Sequence, residues 1–311
     1  MPELPEVETV RRSLAPVVEG RRIADLHILA AHVIEGEADA FARAVRGRRV
    51  RRLERRGKYL LFSLEPPATL AFHLRMTGRL LYLAPSGGAP HVERGAPGIH
   101  ARRGPALALG WRAPSWLESL GEAASAAGPP QHTHLALLLD DGAVLMFNDV
   151  RKFGRVAFWS EDRAAPLARL GPEPLSPDFT VARLAEELAG RRAPVKAVLL
   201  DQRRVAGLGN IYADEALWLA GVHPARPAAS LGREEVARLH RAVRRVLREA
   251  IEHRGTTLRD YRDGAGRAGG HAPHLRVYGR AGQPCRRCGR TLEKTVVAGR
   301  GTTFCPACQP A

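Results

Sequence analysis

Two cysteine pairs near the end of the chain constrain it most. Cys285 and Cys288 stand in "CRRC", Cys305 and Cys308 in "CPAC", with sixteen residues between the pairs. That is the spacing of a four-thiolate zinc site. The intervening "TLEKTVVAGRGTTF" reads as strand, turn, strand. Zinc would pin the base of this hairpin, and the tip "AGRG" would carry Arg300 outward. So short a hairpin has little core, and the metal would supply its stability. Disulfides are the alternative, disfavoured in a reducing compartment. A glycine-flanked arginine suits phosphate contact, being planar and multidentate; a solvated turn arginine is the plainer reading.

With 311 residues and 45% hydrophobic content, the chain has room for two domains with real cores. No run approaches the ~18–20 apolar residues of a membrane span. The acidic N-terminus lacks a secretory h-region, so a cytoplasmic protein without a membrane role is expected. Net charge is +16, with arginine dominating, and this points to a polyanion, most often nucleic acid. A GC-rich genome would explain arginine over lysine but not the shortfall of acidic residues.

Val7, Val10 and Leu14 place a helix over 5–15. "RVRRLERRGKYLLFSL", "ATLAFHLRMTGRLLYL" and "HLALLLDDGAVLMFND" follow as strand-rich stretches, the last a hairpin turning at "DDG". Residues 85–130, rich in Gly, Ala, Pro and Arg, read as an insertion with one short helix capped by Ser115 and Glu118. The strands flanking it are expected to be neighbours, which makes it a lengthened hairpin connection. Arg102, Arg103 and Arg112 within it would add non-specific DNA affinity. A Pro-rich linker spans 165–178. Beyond it, Val236, Leu239, Val243, Val246 and Ala250 form one helical face, stopped at Gly255. "PVKAVLLDQRRVAGLGNIYADEALWLAGV" reads as helix, turn, helix. Gly207 and Gly209 do not make a dinucleotide fingerprint, since no third glycine and no preceding strand are present. Asn210 is expected to cap the second helix, whose free N–H groups would meet a DNA phosphate.

Six stretches in order carry a resemblance: "MPELPEVETV", "HLRMTGRL", "NDVRKFGRV", "LLDQRRVAGLGNIYADEALW", "GTTLRDY" and the cysteine segment. Together they resemble the formamidopyrimidine-DNA glycosylases over nearly all the chain except 85–130. The resemblance implies an α+β protein of two domains. An N-terminal β-sandwich with flanking helices (1–164, with the 85–130 insertion) would precede the 165–178 linker. A helix–two-turn–helix domain (179–274) and a four-cysteine zinc finger (275–311) would follow. The implied activity is that of a monomeric, nucleoid-associated glycosylase and abasic-site lyase of base excision repair. It would remove 8-oxoguanine and ring-opened purines from double-stranded DNA and then nick by β,δ-elimination.

The resemblance also assigns residues. Trimming Met1 would leave Pro2 as a secondary amine able to attack C1′. Lys58 is the rival amine. At pKa ~7.7–8.0 against ~10.4, a generic terminus is neutral roughly several hundred times more often, an advantage that proline's greater basicity reduces. A secondary amine also gives an iminium that is cationic without a proton, a ready electron sink. Glu3 would act as general acid, Glu6 as a supporting carboxylate, and Lys58 and Arg300 as basic groups at the lesion phosphates. Met76 and Arg151 would fill the gap left by the flipped base, with Phe153 wedged at the opposite strand. His73 and Asn210 match phosphate contacts, and Lys196 matches a lysine near the pocket. The lesion-covering loop departs from the family's usual Tyr-Phe-Gln-like end and reads "RAGGHAPHLRVYG", which leaves its selectivity open. An endonuclease VIII-like enzyme for oxidised pyrimidines is the nearest rival, opposed by "PELPE" and the Met76 turn. A non-catalytic DNA-binding homologue is opposed by the intact Pro2, Glu3 and Lys58.

Overall fold

The computed structural model describes residues 1–85, 131–160 and 165–311. Helix α1 (Leu4–Val18) begins almost at the first residue and packs Val7, Val10, Leu14 and Val18 inward. The N-terminal strands are β1 (Ile23–Ile28), β2 (Arg49–Arg56), β3 (Tyr59–Glu65), β4 (Ala68–His73), β5 (Gly78–Leu83), β6 (Thr133–Leu139), β7 (Val144–Asp149) and β8 (Arg155–Ser160); helix α2 (Ala38–Val45) lies between β1 and β2. They form two antiparallel four-stranded sheets, ordered β1-β6-β7-β5 and β2-β3-β4-β8. One core joins side chains of α1, α2 and both sheets, among them Leu53, Phe62, Phe72, Leu80, Leu137 and Phe147. In β2, Val50 and Leu53 are both buried although three residues apart, which a regular strand forbids. The register slips between Val50 and Arg52, and the bulge turns both side chains to the same face.

The "DDG" hairpin joins β6 to β7 as the sequence suggests. The strands flanking 85–130 are not neighbours, however: β7 lies between β5 and β6. The insertion is therefore a crossing connection, not a lengthened hairpin. Residues 86–130, with the Ser115–Glu118 cap and the three arginines, lie outside the described residues.

Short helix α3 (Ala165–Ala168) leads into the helical region of α4 (Val181–Leu188), α5 (Val195–Leu200), α6 (Asn210–Ala220) and α7 (Arg233–Glu252). The apolar face of α7 packs on α6, which is buried along nearly its whole length. A last hairpin, β9 (Glu293–Val297) and β10 (Arg300–Phe304), lies against α6. Leu4, the first residue of α1, belongs to the helical core rather than to that of the sandwich. The extreme N-terminus is thus held between the two halves.

Candidate active site and DNA interface

Pro2, Glu3 and Glu6 are buried. The Leu4 N–H donates to Gly207 O at 3.0 Å, which seats α1 on the Gly207–Gly209 turn. A Cβ on Gly207, already at φ +85°, would stand 2.8 Å from Leu4 side-chain carbons, and one on Gly209 would run into the Glu3 carboxyl. These glycines exist so that the N-terminus can approach, not to cradle a nucleotide. Glu3 turns its carboxylate onto the start of α6: Ile211 N–H donates to Oε1 at 2.9 Å and Tyr212 N–H to Oε2 at 3.5 Å. The Glu3 carboxyl therefore takes two of the N–H groups at this helix N-terminus that the sequence reading offers to a DNA phosphate. The cap is also shifted: Gly209 is the N-cap and Asn210 the first helical residue. The Asn210 Nδ2 donates to Gly301 O at 3.0 Å and ties the turn to the finger.

Glu6 lies one helical turn behind. Its Oε2 accepts from Glu3 N–H at 2.8 Å, and its Oε1 accepts from Tyr212 Oη at 2.5 Å and Thr256 N–H at 2.7 Å. Burial pushes Glu6 up to about 7, with the neighbouring Glu3 charge adding to the rise. Burial also raises Glu3, opposed by Lys58, the two α6 N–H groups and the chain's amino terminus. Both shifts are toward the protonated acid, the form that can donate. Lys58, in the β2–β3 turn, is buried too. Desolvation lowers it, the two glutamates raise it, and Arg300 lowers it further. An N-terminal amine, a lysine, two carboxyls and an arginine thus share one electrostatic neighbourhood.

The Lys58 turn is clamped from the linker. Glu173 accepts from Gly57 N–H and from Arg55 Nη2 at 2.7 Å, and Arg56 stands at 3.4 Å. The Pro-rich segment is therefore a brace.

A second group forms where two turns meet. Asp149, at the end of β7, accepts from Thr77 Oγ1, from Arg151 N–H at 3.2 Å and from Gly154 N–H at 2.6 Å. This fixes the β4–β5 turn against the β7–β8 turn. Arg151 Nη1 lies 3.2 Å from Met76 Sδ, and its guanidinium stacks 4.8 Å from the centre of the Phe153 ring. Met76 and Phe153 are exposed. All three predicted void-filling residues come together, pointing outward from a rigid base. His73 sits at the edge of the same group. Its Nδ1 accepts from Arg75 N–H at 3.1 Å, which leaves the proton on Nε2. Desolvation and the nearby Arg75 push the ring down to about 3, so His73 would meet a phosphate as a neutral donor.

Lys196 lies close enough to the site for Glu3 and Arg300 to act on its charge. It is fully enclosed, 2.6 Å from Asp214 Oδ1 and 2.7 Å from Thr302 Oγ1, and is not itself a surface contact. Arg300 opens β10, exposed, and contributes to the electrostatics of both Lys58 and Lys196.

The four cysteine Sγ atoms lie within 4.8 Å of one another, with Cys285–Cys308 at 4.0 Å and Cys288–Cys305 at 3.5 Å. A tetrahedron of ~2.3 Å Zn–S bonds has edges of about 3.8 Å, whereas a disulfide needs ~2.05 Å. Arg287 N–H and Trp218 Nε1–H each donate to Cys285 Sγ at 3.4 Å, and Cys308 N–H to Cys305 Sγ at 3.4 Å; such contacts favour thiolate. The residues fit zinc.

Sequence reasoning missed Tyr212, Thr256, Glu173, Asp149 and Asp214. "NIYADEALW" and "GTTLRDY" were visible as motifs, but nothing local says that Tyr212 and Thr256 converge on Glu6.

Comparison with known proteins agrees along the whole chain. The formamidopyrimidine-DNA glycosylase N-terminal domain family matches residues 1–156, the H2TH domain family 170–262, and the zinc finger found in FPG and IleRS 282–311. Formamidopyrimidine-DNA glycosylase of Chloroflexus aurantiacus is 47% identical over 99% of this chain and 98% of its own. The crystal structure of the MutM (Fpg) protein from Thermus thermophilus is 42% identical with a TM-score of 0.78, covering 99% of this chain and 98% of that one. A Lactococcus lactis Fpg variant in complex with Fapy-dG-containing DNA is 33% identical with a TM-score of 0.81, each chain covered completely.

Proposed function

The chain belongs to the formamidopyrimidine-DNA glycosylase family, and from that premise we propose how its residues excise oxidised purines. It is a DNA glycosylase and abasic-site lyase of base excision repair, with one structural zinc held by Cys285, Cys288, Cys305 and Cys308. The substrate is duplex DNA carrying 8-oxoguanine or a formamidopyrimidine, bound by a monomer acting on the nucleoid in the cytoplasm.

Pro2, freed by removal of Met1, is the nucleophile. Its nitrogen bonds to C1′ while the damaged base leaves with the electrons of its glycosidic bond and a proton. Glu3 protonates the ring oxygen and the C1′–O bond breaks; the amine's one proton is the one the departing base has taken, which leaves a C1′ iminium. Loss of a C2′ proton expels the 3′ phosphate, and a second elimination expels the 5′ phosphate. Lys58 and Arg300 hold these phosphates; Met76, Arg151 and Phe153 occupy the void; His73 and Asn210 contact the backbone.

One observation carries the reading. Glu3 is fixed on the α6 N-terminus beside Lys58 and the chain's own terminus, and burial favours its acid form. The test compares cleavage of 8-oxoguanine·C and thymine-glycol duplexes by the Met1-trimmed protein. Faster cutting of the 8-oxoguanine strand is expected. A preference for thymine glycol would move the substrate to oxidised pyrimidines, and no cleavage of either would leave a DNA-binding homologue.

A further inference from the structure

Arg300 does not stand on a free hairpin. Each of the three residues after it is gripped from the helical domain. Gly301 O accepts from Asn210 Nδ2 at 3.0 Å and from Lys196 Nζ at 3.2 Å. Thr302 Oγ1 lies 2.7 Å from Lys196 Nζ, and Thr303 N–H donates to Asp214 Oδ2 at 3.1 Å. Lys196 and Asp214 pair at 2.6 Å, and both are enclosed, as is Thr302.

The direction of this chain of bonds follows from the groups. An ammonium has no acceptor, so Thr302 Oγ1 accepts from Lys196 and turns its own proton to Arg300 O, 3.0 Å away. Asp214 on α6, Lys196 on α5, Thr302 on β10 and the Arg300 backbone are thus linked in series. A pair this buried adds little net stability, because desolvating two charges offsets most of their attraction. Its consequence is positional: it fixes β10 on α6, and hence the place of the Arg300 side chain beside Lys58.

We infer that Asp214 is a positioning residue for Arg300, acting through Lys196 and Thr302 to set where the finger's guanidinium meets the phosphates of the damaged strand. This rests on the reading of Arg300 as a phosphate ligand. The sign of the effect separates it from general electrostatics. Asp214→Asn removes a negative charge from a protein that binds a polyanion, and charge alone would tighten binding. Displacement of Arg300 weakens it.

The test uses full-length, zinc-loaded protein and a duplex with an uncleavable abasic analogue, titrated over a range of salt. Asp214→Asn is expected to bind about tenfold more weakly and to lower the salt slope by about one, with one zinc per chain retained. Arg300→Ala is expected to do the same, and the double variant to bind no more weakly than Arg300→Ala alone. If the Asn variant fails to fold, the apolar pair Asp214→Leu with Lys196→Met keeps the volume without the buried charges and is read the same way. An Arg300→Ala protein with unchanged affinity and slope would refute the phosphate reading, and this inference with it. If Arg300→Ala weakens binding, then an Asp214 variant that binds as wild type or tighter, or whose effect adds fully to that of Arg300→Ala, overturns the positioning role alone.

Discussion

Glu6 holds its proton near neutral pH because it is wholly enclosed and faces a second carboxyl, and three donors only partly offset this. Its folded-state value of about 7 lies above the ordinary 4.5, so the folded chain binds this proton more tightly than the unfolded one. The associated stability is complete below about pH 4.5 and is lost as pH rises through 7. A Glu6→Gln variant cannot titrate. Its stability relative to wild type should therefore improve between pH 5 and 8, by at most ~3 kcal/mol at 1.36 kcal/mol per unit. Denaturant unfolding at several pH values checks this, and parallel curves for the two proteins would refute it. The same local reading applies to Asp149, whose carboxylate takes three donors from the two turns that present Met76, Arg151 and Phe153. Asp149→Ala would leave the Thr77 hydroxyl and Gly154 N–H without this acceptor, while Arg151 N–H keeps Thr77 Oγ1 at 3.1 Å. We expect it to cost about 3 kcal/mol and to lower lesion preference more than undamaged-DNA affinity, as read by competition binding.

At the scale of elements, the brace and the finger lead to separate outcomes. Removing Glu173 leaves the largely buried Arg55 short of a partner and frees the turn that carries Lys58. Glu173→Ala should destabilise the protein by about 3 kcal/mol and slow strand cleavage even where the protein is fully folded. Removing zinc with a chelator should expose four reactive thiols and abolish lesion binding, while the sandwich keeps its own cooperative unfolding. What was legible in the sequence follows the same division. The cysteines could be read because their ligand spacing is local, and α7 because its apolar face repeats at helical period. The strands of the sandwich could be read, but not their order, because nothing in "GRLLYL" or "THLALLL" records that β7 inserts between them. The Tyr212–Glu6 and Thr256–Glu6 bonds span 206 and 250 residues, and no periodicity encodes such contacts. Asn210 falls one position inside the helix, and the Glu3 carboxyl, arriving from the other end of the chain, takes the N–H groups that a capping side chain would meet.

At the scale of the molecule, the N-terminus is the joint between the sandwich and the helical domain: Leu4 packs in the helical core and Val7 in the sandwich core. Segment 85–130 must join the end of β5, beside Val144, to the start of β6, beside Asn148, so its ends lie two strand spacings apart and at opposite ends of β7, about 17 Å in all. A two-residue turn cannot span that, but a Gly-Ser crossover of about a dozen residues or more in place of 86–129 should preserve fold and single-turnover excision. A collapse of excision with folding and zinc intact would mean that the segment reaches the active site. The mechanism as a whole turns on which nitrogen attacks, since Pro2 and Lys58 are both buried beside Glu3. Borohydride trapping on an 8-oxoguanine duplex, followed by peptide mapping, decides this most directly. The expected result is DNA joined to the N-terminal peptide through Pro2, with trapping lost when a residue is retained before it. A crosslink found only on the Lys58 peptide would contradict it.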